Sequence, residues 1–264
     1  MKILSTLWTD IKLFLFTYFL PILLIVIIGM IINISEANMN TLYSSVCSIL
    51  TIILSILYLR KKGFNCKDAF TKPDLKILIL VLLFQFCWAI FSSYFFWAIF
   101  SGLSGEEESV VETPLSIIAT FTLVPVAEEL LFRYGFINLG KQKSNLLCAS
   151  VISVILFTIM HFDTLPASLT ILGAAIFYVM IYNKTGNLVY TICAHAFNNF
   201  IGTVGYKFLD PFISTGSYSD LGDPIFIGSV IGLLFSIIVL IKLLKNKTWE
   251  CISSKNDCSA YNNN

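Results

Sequence analysis

The chain has 264 residues, of which 57% are hydrophobic and 12% charged, with a net charge of +1 and a mean hydropathy of +0.84. That is about half the charge of an ordinary soluble domain, which excludes a soluble globule, and no nucleic-acid partner is expected of so neutral a chain. The composition suits a chain whose partner is the lipid bilayer.

A spanning helix needs roughly 20 mostly apolar residues. Eight stretches meet or approach that length, at about 11–33, 41–60, 75–103, 115–138, 146–162, 166–183, 187–208 and 224–244. The expected fold is all-α, a single polytopic integral-membrane bundle of about eight transmembrane helices over 1–264, ending in a short polar cytoplasmic tail at 248–264. The first stretch lacks a small-x-small cleavage site after it and reads as a retained anchor rather than a secretory signal.

Orientation follows from lysine and arginine in short loops. With a cytoplasmic N-terminus, sixteen of the seventeen basic residues lie on the inner side, from Lys2 and Lys12 through Arg60, Lys61 and Lys62 to Lys255, and only Lys207 lies outside. The outer loops collect Glu36, Glu106, Glu107, Glu108, Glu112, Asp163, Asp210, Asp220 and Asp223. Both termini are therefore expected in the cytoplasm, and the plasma membrane of a bacterium is the expected location. Trp8, Trp97 and Trp249 sit near span edges, as an aromatic belt requires. The basic run "LRKKGFNCK" between spans 2 and 3 sets topology and meets anionic lipid. Seven cysteines form no C-x-x-C pair and read as structural thiols.

In such a chain, ionisable residues within the spans are the signal, because each costs about 2.5–3.5 kcal/mol at a helix centre on the insertion scale. They concentrate in 115–208, the expected catalytic core; spans 1, 2, 3 and 8 are read as scaffold without interior acids or histidines. Span 4 carries Glu128, Glu129 and Arg133, span 5 ends in "FTIMHFD" with His161, and span 7 carries "CAHAFNNFIG" with His195, Asn198 and Asn199. Glu129 and Arg133 are four apart and can pair on one helix face, whereas Glu128 is turned by about 100° and stays free of that pairing. His195 and Asn199 share a face, and Phe157 stands one turn before His161.

A carboxylate, two imidazoles and an amide from three helices suit two chemistries. In one, the carboxylate takes a proton from water, a histidine assists, and the second histidine with the asparagine donates to a tetrahedral oxyanion. In the other, Glu128, His161 and His195 form the two-histidine, one-carboxylate set of a catalytic zinc, although no H-E-x-x-H is present. Each element also has a purely structural reading: a Glu–Arg pair glues membrane helices, and a lone histidine or asparagine satisfies a helix contact. Asn198 and Asp163 are read that way.

The three motifs carry a resemblance. "EELLFR" matches E-E-x-x-x-R, "FTIMH" matches F-x-x-x-H and "HAFNN" matches H-x-x-x-N. In order, spacing and hydrophobic setting they resemble the CPBP (Abi) family, the CaaX-protease and bacteriocin-processing intramembrane endopeptidases, and the eight-span layout resembles its type II CaaX prenyl endopeptidases. The resemblance implies that Glu128 activates water, His161 assists, His195 and Asn199 form an oxyanion hole, and Glu129, Arg133 and Phe157 support them. Members are described as metalloproteases, but the glutamate-activated water requires no cofactor; zinc on Glu128, His161 and His195 stays open. The implied substrate is a membrane protein or lipidated peptide, either a CaaX-type tail or a bacteriocin or leader peptide. The competing functions are a catalytically silent bacteriocin-immunity protein and a proton-coupled transporter, for which no internal repeat is seen. Substrate identity and oligomeric state are not legible.

One count conflicts with this scheme. If span 5 rises from Leu146, His161 lies roughly 20–25 Å up, while Glu128 and His195 count nearer mid-membrane. A helix continuing past Arg133, or a span 5 that ends inside a protein-lined cavity, would both put His161 next to Glu128.

Overall fold

The computed structural model describes residues 2–100, 113–205 and 224–245. Within them all regular structure is helical. In chain order we label the helices α1 (Ile3–Ile32), α2 (Glu36–Lys61), α3 (Leu75–Phe100), α4 (Pro114–Lys143), α5 (Leu146–Met160), α6 (Leu165–Thr185), α7 (Leu188–Phe200) and α8 (Pro224–Leu244). All but α5 and α7 are long and apolar enough to cross a membrane. The chain is thus an integral membrane protein with an all-α polytopic bundle. The expected tail at 248–264, Trp249 and most of the acidic outer loops lie outside the described residues.

Of the two short helices, α5 ends at His161, whereas α7, which carries His195, continues in π-type turns to Gly205, the last described residue of that stretch. α5 has 15 residues, about 22 Å, against a hydrocarbon core of about 30 Å.

α4 is the centre of the bundle, touching α1, α2, α5, α6 and α7, while α3 packs against α6, α7 and α8. It breaks at Phe121–Thr122 because Pro125 has no N–H for the Phe121 carbonyl and its ring crowds that carbonyl. Beyond the break the helix runs unbroken to Lys143, and Asn145, whose side chain accepts from the Cys148 N–H at 2.8 Å, starts α5 at once. This removes the conflict over depth. Glu128 and His161 each stand 15 residues from their own end of this hairpin, at Lys143 and Leu146, hence about 22 Å from it.

One expectation is corrected. The first span begins near residue 3 rather than 11, so Asp10 lies inside it, fully buried, with neither carboxylate oxygen hydrogen-bonded. Packing recruits these extra residues: a Cβ at Gly140 would come within 2.8 Å of Ala149 and 3.0 Å of Thr6, and one at Gly135 within 2.6 Å of Leu13. The small residues let α1, α4 and α5 approach closely. Thr6 also donates to the Gly140 carbonyl at 3.5 Å.

Gly173 on α6 does the same for α3, where a Cβ would overlap the Trp88 indole. That indole is held by its N–H donating to the Thr170 carbonyl at 2.9 Å. Gly173→Ala is therefore expected to destabilise the bundle by about 1–3 kcal/mol, read as a lower unfolding midpoint in detergent. Gly228→Ala, at a helical position open to space, should not lower the midpoint and should raise it slightly, since alanine favours a helix over glycine by about 1 kcal/mol.

Candidate active site

Glu128 and Glu129 occupy the middle of α4, 14 and 15 residues from Pro114. From Glu129 to Phe136 the helix widens into π-type turns, which are rare in helices and frequent at functional sites. Glu128, Glu129, Arg133 and His195 are all buried.

Arg133 Nε lies 3.2 Å from Glu129 Oε2, both side chains at 0% exposure. None of the guanidinium nitrogens makes a hydrogen bond. The cation is held instead by the carboxylate and by ring faces, 4.2 Å from the Phe157 centroid and 5.3 Å from Tyr178. Phe157 thus supports the arginine as well as His161, on which its ring stacks at 4.3 Å.

The partners of the two histidines assign their tautomers. His161 follows the last residue of α5, and its Nδ1 lies 2.8 Å from the Phe157 carbonyl. That carbonyl is one of the four that every helix end leaves unpaired. It can only accept, so Nδ1 carries a proton; Nε2 lies 3.2 Å from Glu128 Oε2, an ion pair when the ring is protonated. His195 Nδ1 lies 3.0 Å from Glu129 Oε1, which also only accepts, so Nδ1 carries a proton there too, and its Nε2 faces Glu128 Oε2 at 3.7 Å. Tyr178 stacks on the His195 ring at 5.5 Å.

Glu128 Oε2 is buried and receives no hydrogen bond. In the neutral tautomers it faces two lone pairs, an arrangement that repels unless a proton or a cation lies between them. The three ligand atoms of Glu128, His161 and His195 all lie within 4.8 Å of one another. The set and the anchoring of each Nδ1–H on an acceptor fit a zinc site with an open position.

The structure therefore brings together Glu128, Glu129, Arg133, Phe157, His161 and His195. Asn199 donates one amide N–H to the Thr120 carbonyl at 2.9 Å, a group freed by the break in α4. Asn198 accepts from Gln85 on α3 at 2.7 Å, in keeping with the structural reading. Sequence reasoning missed Tyr18 on α1, whose hydroxyl lies 3.3 Å from Glu128 Oε1, because a tyrosine in an apolar span carries no signal of its own.

Residues 110–201, roughly a third of the chain, match the family described as type II CAAX prenyl endopeptidase Rce1-like. That stretch is similar to the Rce1-like family. The matched family is the one that the three motifs resemble, and the match spans Glu128, His161, His195 and Asn199. At family level this similarity supports a CAAX-type intramembrane protease. No curated protein and no solved structure matched the chain.

Breaking the buried ion pair strands a charge in a dry place, which costs about 3–5 kcal/mol. Arg133→Met is expected to lower the unfolding midpoint by that equivalent. The double variant Glu129→Gln/Arg133→Met should lose less than the sum of the single changes, as contacting residues do; additive losses would show that the two do not act as a pair.

Proposed function

We propose that the protein is an intramembrane endopeptidase that hydrolyses a peptide bond of a membrane-associated protein or peptide, with Glu128 as the base that activates water. The observation that carries this reading is the buried, unbonded Oε2 of Glu128 facing His161 and His195. Among the substrates considered, the matched family favours a CaaX-type tail.

Glu128 takes a proton from water as the water oxygen bonds to the scissile carbonyl carbon. His161, fixed by Phe157, orients that water from the opposite side. The carbonyl oxygen becomes an oxyanion. His195 donates to it only when protonated, since its Nδ1–H is committed to Glu129, while Asn199 has a second N–H beyond the one held by Thr120. The C–N bond then breaks and the proton on Glu128 passes to the leaving amine. Glu129 and Arg133 keep His195 in its tautomer and place. On the orientation expected from the basic loops, the Arg133 end of α4 faces inward, so in this reading the substrate reaches the site from the cytoplasmic side.

A second reading has a specific observation behind it, the 4.8 Å cluster of three ligand atoms. Glu128, His161 and His195 would hold a zinc ion, which when bound polarises a carbonyl and makes water a stronger acid. In that case Glu128 is a ligand and its second oxygen the base.

The deciding experiment is cleavage of fluorogenic peptides, prenylated CaaX sequences included, by the detergent-purified protein. Glu128→Gln is expected to lower turnover by at least about 10²–10⁴-fold with an unfolding midpoint close to wild type. Activity that survives a chelator supports the water scheme, and activity lost to the chelator and restored by zinc supports the metal. A wild-type protein that cleaves nothing would favour an immunity or transport role.

A further inference from the structure

The side of Glu128 away from the histidines is also built. Its Oε1 lies 3.3 Å from the Tyr18 hydroxyl, and Tyr18 lies 2.9 Å from the hydroxyl of Tyr43 on α2. Because Glu128 as a carboxylate only accepts, the chain has a direction: Tyr43 donates to Tyr18, and Tyr18 donates to Glu128. Tyr18 is 8% exposed and Tyr43 is 43% exposed, so three groups lead from the surface of the bundle to the buried carboxylate. Tyr43 stands seven residues from the start of α2 at Glu36, about 10 Å from that end.

Both tyrosines lie in π-type turns, Leu15–Phe19 and Tyr43–Cys47. Together with Glu129–Phe136, three such turns converge on Glu128, a coincidence of rare geometry that packing alone does not call for. Beside them is a cavity of ≈ 10 Å³ whose polar lining is Tyr18, Tyr43, Ser48, Thr51 and Glu128. A water molecule needs about that much room and two to four polar partners, and the lining offers both.

Resting on the proposed hydrolase reading, we propose that this cavity is a water site that supplies the reaction, with Tyr18 as the residue that positions the Glu128 carboxylate through Oε1. Water enters past Tyr43 on the α1–α2 side, and the substrate carbonyl approaches on the Oε2 side, where the histidines lie. The separation lets water reach Glu128 while substrate fills the other face. α1 and α2, which hold none of the three motifs, thereby become part of the working site.

Two measurements on the full-length protein in detergent test this. The first is radiolytic hydroxyl labelling read by mass spectrometry, which marks side chains next to bound water and needs no substrate. Tyr18 should be modified alongside Tyr43, whereas the equally buried Tyr182, 6% exposed and away from the cavity, should not; labelling of Tyr18 as low as that of Tyr182 would overturn the water site. The second is kinetic. Tyr18→Phe, which keeps the ring and its 5.3 Å contact with Phe14, should lower kcat roughly 10-fold, toward the low end of what a positioned acid–base group contributes, with KM unchanged. Adding Tyr43→Phe should cost little more, since both act through one chain. A Tyr18→Phe protein with wild-type kcat, or one that loses only thermal stability, overturns the positioning role. If wild type cleaves no peptide, the hydrolase reading fails by itself while the labelling still decides whether the water site exists.

Discussion

The site depends on holding Arg133 in a fully buried position beside two adjacent carboxylates. A bare guanidinium there would be prohibitive, and two neighbouring carboxylates without a cation would repel each other. Arg133 answers both by pairing with Glu129 at 3.2 Å and lying between the rings of Phe157 and Tyr178. Glu129, so neutralised, can spend its other oxygen on His195 Nδ1. The imidazole is thereby held with Nε2 toward Glu128. One ion pair in α4 thus sets the chemistry of a residue on α7, and its energetic value lies less in net stability than in fixing a tautomer.

The same logic, carried by backbone instead of charge, orients His161. Regular helices leave their last carbonyls unpaired, and α5 ends where one of these can bind the imidazole of the next residue. Had α5 continued to a full membrane span, Phe157 O would be occupied by the helix itself and His161 would be free to rotate. A helix too short for the bilayer is therefore what positions the second histidine. The π-type turns in α4 have a related effect, since wider turns change which side chains share a face without ending the helix.

Much of this was legible in the sequence, and the boundary of what was legible is physical. Apart from the start of α1, apolar run length placed the helices within about five residues, and spacings of four correctly paired Glu129 with Arg133 and Phe157 with His161, because both quantities are local. The depth of His161 was not local: it turned on whether the helix continued past Arg133, which packing of α1 against Gly135 and Gly140 decides. Asp10 was placed outside span 1 for the same reason. Spacing put Asn199 on the face of His195, and it could not show that one of its amide N–H groups is held by the Thr120 carbonyl, left free at the break in α4. Tyr18 and Tyr43 lay beyond sequence reasoning, since phenols are ordinary in apolar helices and only the fold brings them to Glu128.

These features bear on a problem peculiar to hydrolysis within a membrane. Water must reach a carboxylate about 20 Å from either end of its helix without exposing unpaired backbone to lipid. The bundle meets this by making irregular backbone only where protein lines it. The break at Phe121–Thr122 is answered by Asn199 and the end of α5 by His161. At the start of α6 the Thr164 side chain accepts from the Ala167 N–H. Each repair uses a polar side chain that points inward, so the places where helices fail are also the places where a polar interior accumulates. A row of uninterrupted spans would have no such interior. The short and broken helices are therefore what allows an ionisable group to work at this depth, and the long, regular α3 and α8 serve as the wall against which they are held.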